Sequence, residues 1–432
     1  MTAATASGKG GLRAWIVWSL SALAFGYAFF QRVSPSAMYT ELMRDFEATG
    51  AVLGTLSALY FYPYVALQLP LGALLDTFGA RRLITGSLVF AAIGSALLAT
   101  ATSLPVAYAG RFLIGAGSAA GFIGSLALAG RWFPANRFAM LAGFAMFFAM
   151  MSGMAGQAPL AWLVQAVGWR ATIAGAAIFA LVLGLAVFAI VRDAPPGETL
   201  KAKAAPEDGS FGAGLAAALL NREVWQISVA AMASSGPMLA FGGLWGVPYL
   251  VEAYGLSKPQ AAFYTSTLLF GWAIGGPVLG WLSDRVGLRK LPILLSLGVL
   301  CLCTGALVFL PVLPLGVLVA VIALMGFVGS CMVNGYALAR EVTQPAIHGA
   351  TNGIVNGMTV ASGAVLQPVI GWLLDRSWDG TLVDGVRHYS VENFQNAFVS
   401  LFLWTLVGFL VSLTLRESRC KPLPPVRLIK VR

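Results

Sequence analysis

Twelve long apolar segments dominate this chain of 432 residues. Hydrophobic residue types make up 58% of the sequence and charged types only 10%, whereas roughly 25% of the residues in a soluble domain are charged. A soluble fold cannot bury so much apolar surface, but each segment has about the 20 residues that a helix needs to cross a bilayer. The sequence therefore predicts an all-α membrane protein with twelve transmembrane helices in contact with lipid.

The positive charges are distributed unevenly between the two sides of these segments. The chain has 27 Lys and Arg residues against 17 Asp and Glu residues, a net charge of +10. Most of the cations fall on the side that carries both termini, which is the positive-inside signature. We therefore expect cytoplasmic termini and a location in the plasma membrane, and the alanine-rich composition favours a bacterial inner membrane. Since topology explains the basic balance, no nucleic-acid partner is expected.

One polar stretch separates the segments into two groups of six. It begins at Asp193-Ala-Pro-Pro-Gly197 and is typical of a linker. The predicted regions are a cytoplasmic N-terminus at 1–13, a first six-helix bundle at 14–192, a cytoplasmic linker at 193–222, a second six-helix bundle at 223–416 and a basic cytoplasmic tail at 417–432.

A short stretch between two apolar segments occurs in both halves of the chain. It reads Gly72-Ala-Leu-Leu-Asp76-Thr-Phe-Gly79-Ala-Arg81-Arg82 in the first half and Gly280-Trp-Leu-Ser-Asp284-Arg285-Val-Gly287-Leu-Arg289-Lys290 in the second. Gln157 and Gln367 recur at nearly the same offset. This repetition predicts two six-helix bundles related by a parallel pseudo-repeat, with a central cavity between them. Each stretch itself is expected to form a short polar bend between two spans.

Both stretches resemble the loop motif of the major facilitator superfamily, and Arg111-Phe-Leu-Ile-Gly115-Ala-Gly117 resembles the arginine-containing motif of its fourth helix. The resemblance covers essentially the whole chain and implies a transporter that works by rocker-switch alternating access. It further implies that the loop residues latch the two bundles in an outward-open state and do not bind substrate. The expected gating residues are Gly72, Asp76, Gly79, Arg81, Arg82, Arg131, Gly280, Asp284, Arg285, Gly287 and Arg289.

Two arginines fall well inside the apolar segments. Arg32 lies in the first segment and Arg111 in the fourth, and at about 1.5 Å per residue both lie roughly 10 Å below the outer surface. The acidic residues all fall in predicted loops or at helix ends. Charges inside a membrane are costly and usually functional. A small organic anion would balance the two cations, with Arg32 as its principal partner and Arg111 either in support or bonding backbone carbonyls to couple helices.

Polar and aromatic side chains elsewhere in the segments are further candidates for the cavity, although such residues also serve packing and interfacial belts. The predicted substrate-binding set, besides the two arginines, is Tyr27, Gln31, Tyr60, Tyr64, Gln68, Trp245, Tyr249, Asn334, Asn356 and Gln367. The Gln31-Arg32 pair and Arg111 also resemble positions in the organic anion symporter branch, where acidic residues accompany the two arginines. Gln31 and Ser118 stand in place of those acids, so uniport, exchange and symport with another ion all stay open.

Other classes of function fit the sequence less well. The chain has two histidines, no acid inside a segment and four cysteines without metal-ligand spacing, so neither an enzyme nor a metal or cofactor is expected. Within transport, the alternative is a transporter or exporter of a neutral or zwitterionic molecule such as an amino acid, a peptide or a drug-like compound. A monomer is expected.

Overall fold

The computed structural model describes residues 11–68, 70–134, 137–196, 210–310 and 312–422. Twelve helical segments within these ranges are long and apolar enough to cross a membrane, which confirms the predicted all-α architecture. We number them spans 1 to 12. They are Leu12–Ala37, Gly50–Gln68, Thr77–Thr100, Leu104–Trp132, Met140–Val167, Trp169–Ile190, Arg222–Tyr254, Lys258–Val286, Lys290–Phe309, Leu315–Glu341, His348–Ser377 and Val391–Leu413.

Several spans consist of more than one helix. The helices are α1 (Leu12–Ala37), α2 (Tyr39–Asp45), α3 (Gly50–Ala58), α4 (Phe61–Gln68), α5 (Leu71–Thr100), α6 (Leu104–Ser118), α7 (Gly121–Trp132), α8 (Phe138–Ala155), α9 (Ala158–Val167), α10 (Trp169–Ile190), α11 (Ser210–Leu219), α12 (Arg222–Pro237), α13 (Gly246–Tyr254), α14 (Lys258–Val286), α15 (Lys290–Phe309), α16 (Leu315–Gly329), α17 (Met332–Glu341), α18 (His348–Ser377) and α19 (Val391–Leu413). A π-helical segment covers Met238–Trp245, a 3-10 turn covers Pro345–Ile347, and strands β1 (Leu382–Val383) and β2 (Val386–Arg387) pair as an antiparallel hairpin.

Breaks in the helical backbone lie in the middle of several spans. Spans 2, 4, 5 and 10 are each interrupted by a turn of two residues, and span 7 contains the π-helical segment. Non-helical backbone at membrane depth is tolerated where it is buried in protein or lines a cavity. The breaks therefore mark the sides of these spans that face other helices and the centre of the molecule.

The stretch that includes Gly72 and Arg82 contains the bend expected between spans 2 and 3. The range of α5 consists of two helical pieces joined by a kink at Gly79, where φ is 78° and ψ is 163°. This positive φ is accessible to glycine without a steric penalty, so the chain bends there. The second copy also bends at a glycine, since α14 ends at Val286 just before Gly287 and α15 begins at Lys290.

Spans 1–6 pack together as a first bundle and spans 7–12 as a second. We call the end of both bundles that carries Leu12 and Leu413 the terminal face, and the opposite end the far face. The predicted region boundaries stay predictions, with α10 ending at Ile190 and α12 beginning at Arg222.

The two bundles approach most closely between α3 and α18, near the far face. A Cβ atom added to Gly54 would overlap the carbonyl of Gln367, and one added to Gly371 would overlap the carbonyl of Gly50. Gly50 and Gly54 are four residues apart on one face of α3, the spacing that permits close helix contact in membranes. The backbones of the two bundles therefore touch with no side chain between them.

Polar groups reinforce this contact at the far face. The carboxylate of Asp375, at the end of α18, accepts the N–H groups of Gly50 (2.9 Å) and Ala51 (2.8 Å) at the start of α3. The hydroxyl of Tyr389 donates to the same carboxylate at 2.6 Å, and Arg387 in the hairpin forms an ion pair with it at 3.1 Å. A carboxylate from one bundle thus caps the positive N-terminus of a helix in the other, and the far face is closed.

Candidate substrate site and gates

The guanidinium of Arg32 lies among aromatic rings where the two bundles meet. Its central carbon lies 4.3 Å from the ring centroid of Phe29, 5.2 Å from Tyr64, 5.7 Å from Tyr60 and 6.0 Å from Phe61. The residue is 5% exposed, and its Nε atom makes no hydrogen bond. Within the described ranges no carboxylate forms an ion pair with it. Cation–π contacts stabilise the charge in this position but leave an N–H donor unused.

The break in span 2 positions these rings. Helix α3 ends at Ala58 and α4 begins at Phe61, so Tyr60 stands in the turn between them. The Tyr60 hydroxyl donates to the carbonyl of Ala28 at 2.9 Å, and its ring stacks on that of Tyr64 at 6.0 Å between centroids. The turn therefore directs two tyrosines of span 2 toward the same side of span 1.

Arg111 bonds to backbone carbonyls in the interior of the first bundle. Its Nη1 donates to Gln31 at 3.0 Å, and its Nη2 and Nε donate to Ser57 and Leu56 at 3.3 and 3.4 Å. The Gln31 carbonyl lacks its usual helical partner because Pro35 has no N–H, and the carbonyls of span 2 lie at the break. Arg111 is 1% exposed and satisfies carbonyls that helix irregularities release. This is the helix-coupling arrangement, one of the two alternatives for this residue.

Gln31 and Tyr27 face away from Arg32. The Gln31 amide donates to the Tyr27 hydroxyl at 2.6 Å and to Ser95 at 3.1 Å, so both side chains lie between spans 1 and 3. Neighbouring helix residues point about 100° apart, whereas residues i and i+4 share a face. The expected grouping of these two residues with Arg32 does not occur in this arrangement.

A chain of hydrogen bonds crosses the bundle interface beside the aromatic rings. The hydroxyl of Tyr336 donates to Asn356 at 2.9 Å, and the amide of Asn356 donates to Gln68 Oε1 of the first bundle at 2.9 Å. Gln68 is 9% exposed, and its own Nε2 donor is buried with no acceptor. Tyr64 interacts with both Arg32 and Gln68, so the chain lies next to the Arg32 site.

Two further candidates of the second bundle, Trp245 and Gln367, lie at the π-helical segment. Gln367 donates to the carbonyl of Leu239 at 2.7 Å, and Gln157 of the first bundle donates to that of Gly242 at 2.7 Å. Trp245 donates to the carbonyl of Gln367 at 3.0 Å. The two glutamines of the sequence repeat thus bind irregular backbone from opposite sides, and π-helical segments frequently occur at functional sites.

Tyr249 and Asn334 lie within the second bundle. The ring of Tyr249 packs edge-on against Phe241 and Phe398, at 6.2 and 5.4 Å between centroids. The amide of Asn334 donates to the carbonyl of Leu279 at 3.3 Å, and its oxygen is buried without a partner. The structure does not bring these residues together with Arg32.

The first loop motif forms a polar cluster at the terminal face. The Asp193 carboxylate accepts the backbone N–H of Arg81 at 2.9 Å and lies 3.8 Å from Arg131. A Cβ atom on Gly79 would lie 2.6 Å from Asp193 Oδ2, so glycine is required for this approach. The Arg81 side chain donates to the carbonyl of Phe188 at 2.8 Å. Asp193 directly follows span 6, and the other groups belong to the first bundle.

The second loop motif makes equivalent polar contacts in the second bundle. Glu417 accepts the backbone N–H groups of Arg289 and Lys290 at 2.8 and 2.9 Å. Burial raises the pKa of Glu417, but these bonds outweigh it and hold the pKa below its usual value. The Arg289 side chain pairs with Asp284 at 2.6 Å and with Glu341 at 3.0 Å. Asp193 and Glu417 are therefore equivalent caps of the third and ninth spans.

The other predicted gating residues make fewer contacts. Arg82 is exposed, Arg285 lies 5.2 Å from the Trp281 ring, and Gly287 ends α14 with a φ of 71°. A Cβ on Gly72 would meet nothing within 4 Å, and one on Gly280 would lie 3.8 Å from Val333. The side chain of Asp76 lies outside the described residues. The latch between bundles in an outward-open state stays a prediction, since the bonds of Arg81 and Arg289 lie inside their own bundles here.

Several residues of the bundle interface were missed by sequence reasoning. Gly50, Gly54, Asp375 and Tyr389 form the far-face contact. The four-residue glycine spacing in span 2 was an available signal. Among the described residues, no group of three or more His, Cys, Asp or Glu side chains could hold a metal ion.

Twelve spans in two bundles, with irregular helices and a buried cation at the centre, define a membrane transport protein. A model described as Major Facilitator Superfamily matches residues 20–247 and 227–429. The chain belongs to the Major Facilitator Superfamily and is a transporter, not an enzyme.

Relatives and solved structures agree with this assignment. The chain is 26% identical to the 4-hydroxybenzoate transporter of Pseudomonas putida over 74% of this chain and 76% of that protein. It is 26% identical to a probable sulfoacetate transporter of Cupriavidus necator over 68% of this chain and 69% of that protein. Its fold is similar to a bacterial homolog of the human lysosomal transporter Spinster in an inward-facing and occupied conformation, with a TM-score of 0.72, 16% identity and coverage of 92% and 96% of the two chains.

Proposed function

We propose that this transporter moves a small organic anion across a bacterial inner membrane by alternating access, as a monomer with cytoplasmic termini. The observation that carries the proposal is the Arg32 guanidinium, which is 5% exposed and has an unused N–H donor. A carboxylate suits this guanidinium because charge-assisted hydrogen bonds to arginine are strong and directional. Two relatives named for organic anions support the same class of substrate.

The closed far face supports the alternating-access part of the proposal. Asp375 caps α3 only while the two bundles meet at that face. Arg32 lies where the bundles meet, so separation at either face would expose it to one side of the membrane. In the proposed cycle, an anion binds Arg32 from one side and the bundles then close around it. The far-face contact breaks when the site opens to the exterior.

A binding screen with a charge-deficient variant tests the substrate class. Purified wild-type protein and Arg32→Gln are compared by the thermal shift that benzoate, tartrate, glucose and glycine each produce. We expect one or both carboxylate anions to stabilise the wild type and to leave Arg32→Gln unchanged. Loss of a charge-assisted bond costs about 1.5–3 kcal/mol, enough to abolish a shift at millimolar ligand.

The same screen distinguishes the neutral or zwitterionic alternative. Equal stabilisation of both proteins by glucose or glycine, without any effect of the anions, would contradict the proposal. Circular dichroism of Arg32→Gln provides the control for folding. Uptake of the stabilising ligand into proteoliposomes then tests transport itself.

A further inference from the structure

The groups around Arg32 limit the substrate to a narrower class of anions than the proposed function names. This inference rests on the proposed function. Four aromatic rings lie within 6.0 Å of the guanidinium carbon, contributed by spans 1 and 2. A carboxylate binds an arginine along its N–H edge. The body of a ligand held there would extend against the rings of Phe29 and Tyr64, which favour a flat aromatic partner through offset or edge contacts.

Only one guanidinium is available to such a ligand among the described residues of the site. All three nitrogen atoms of Arg111 donate to backbone carbonyls. Moving Arg111 toward a ligand would break three buried hydrogen bonds that join span 4 to spans 1 and 2, which is unfavourable. The other polar groups beside the rings are the neutral side chains of Tyr336, Asn356 and Gln68. The first negative charge of a ligand is therefore compensated, and a second one is not.

The neutral hydrogen-bond chain has a direction that suits a neutral acceptor. Tyr336 donates to Asn356, and Asn356 donates to Gln68. The Nε2 donor of Gln68 is then left without an acceptor. An amide N–H readily donates to a hydroxyl, carbonyl or carboxylate oxygen. It does not supply the charge that would neutralise a second carboxylate.

We propose that the site takes a monovalent carboxylate with a flat aromatic body and discriminates against dicarboxylates. Its carboxylate meets Arg32, its ring packs beside Tyr64, and Gln68 Nε2 donates to an oxygen of the ligand. A monoanion gives a neutral complex with Arg32, whereas a dianion leaves one net negative charge in a poorly solvated site, and such an unpaired charge is costly.

Isothermal titration calorimetry of the full-length protein with three matched ligands tests this proposal. Benzoate is the reference, cyclohexanecarboxylate keeps its charge and size but lacks the π system, and terephthalate adds a second carboxylate to the same ring. We expect terephthalate to bind at least about tenfold more weakly than benzoate because of its unpaired charge. Cyclohexanecarboxylate should bind roughly two- to tenfold more weakly because it lacks aromatic contacts.

A variant pair separates the contribution of the ring from general packing. Tyr64→Leu should lower benzoate affinity and leave cyclohexanecarboxylate affinity unchanged. Tyr108→Leu removes a partly buried tyrosine from span 4 and should leave both affinities unchanged.

The possible outcomes distinguish this inference from the function on which it rests. Terephthalate binding as tightly as benzoate, with loss of both in Arg32→Gln, would overturn the limit on charge and leave an anion transporter. Equal affinities for benzoate and cyclohexanecarboxylate would overturn the aromatic preference. Failure of every carboxylate to bind, together with tight binding of glucose or glycine, would overturn both the inference and the proposed function.

Discussion

Asp375→Asn should shift the transporter away from the conformation in which the far face is closed. The two carboxylate oxygens accept separate backbone N–H groups, Oδ1 from Gly50 and Oδ2 from Ala51. Asparagine offers one acceptor oxygen, and its NH2 group would face a donor. The substitution therefore removes at least one charge-assisted bond between the bundles, and it also removes the negative charge from the N-terminus of α3.

The size of the shift depends on where these bonds exist. Gly50 and Asp375 belong to different bundles, so their bonds stabilise only the closed far face. A hydrogen bond to a charged group contributes about 1.5–3 kcal/mol. At about 1.4 kcal/mol for each factor of ten, the ratio of closed to open molecules should fall roughly 10- to 150-fold.

The distance between the bundles at the far face reports this ratio directly. Spin labels at Arg44 and Glu392, exposed positions of the first and second bundles, can be measured by pulsed electron resonance in a background without native cysteines. Asp375→Asn should enlarge the long-distance population. Asp379→Asn is the matched control, because Asp379 lies just beyond the end of α18 and accepts its hydrogen bond from Thr381 nearby. Identical distance distributions in the wild type and Asp375→Asn would refute the reasoning.

Three further outcomes are expected. The leucine side chain of Gly54→Leu cannot be accommodated against the Gln367 carbonyl. The variant should therefore hold the far face open and abolish transport, while ligand still binds from the far side. A wild-type distance between the spin labels of the closed far face would contradict this prediction. Arg111→Lys should lower the melting temperature, since each lost carbonyl bond costs about 1.5–3 kcal/mol, yet leave ligand affinity unchanged, and a selective loss of affinity would instead indicate substrate contact. The pKa of Glu417 is lowered in the folded state, so ionised Glu417 stabilises the fold fully above the ordinary pKa of 4.5 and progressively less as pH falls through the lower folded-state pKa. Glu417→Gln should remove this pH-dependent contribution from the melting temperature. An unchanged dependence of the melting temperature on pH would contradict the assignment.

The sequence predicted the spans and the isolated cation because both depend on residue type alone. Apolar length defines a membrane helix, and Arg32 is conspicuous in a span with no acidic neighbour. The helix breaks were not predicted, since turns such as the one at Tyr60 depend on how carbonyls find partners in other helices. The breaks in turn determine what Arg111 binds. The sequence alone was compatible with both alternatives for Arg111, substrate contact and helix coupling, and did not distinguish them.

Side-chain direction was the other limit of sequence reasoning. Gln31 precedes Arg32 in the chain but lies on another face of α1, where Ser95 is its partner. The contact at Gly50 and Gly54 is between backbones, so no conspicuous side chain in the sequence indicates it. Asp375 was assigned to a helix end, and its role as a cap became apparent only from the position of α3 in the other bundle.

The carbonyls left free by prolines link pairs of positions that are distant in the sequence. Pro35 releases the Gln31 carbonyl to Arg111, and by the same rule Pro368 releases the Ala364 carbonyl to Tyr62. Each donor gives a released carbonyl a partner from another helix, and the carbonyl of Gln31 accepts from the nearby Ser34 hydroxyl as well. Through related transporters these positions should change together, so that a helix-breaking residue and a distant hydroxyl or guanidinium are gained and lost as a pair.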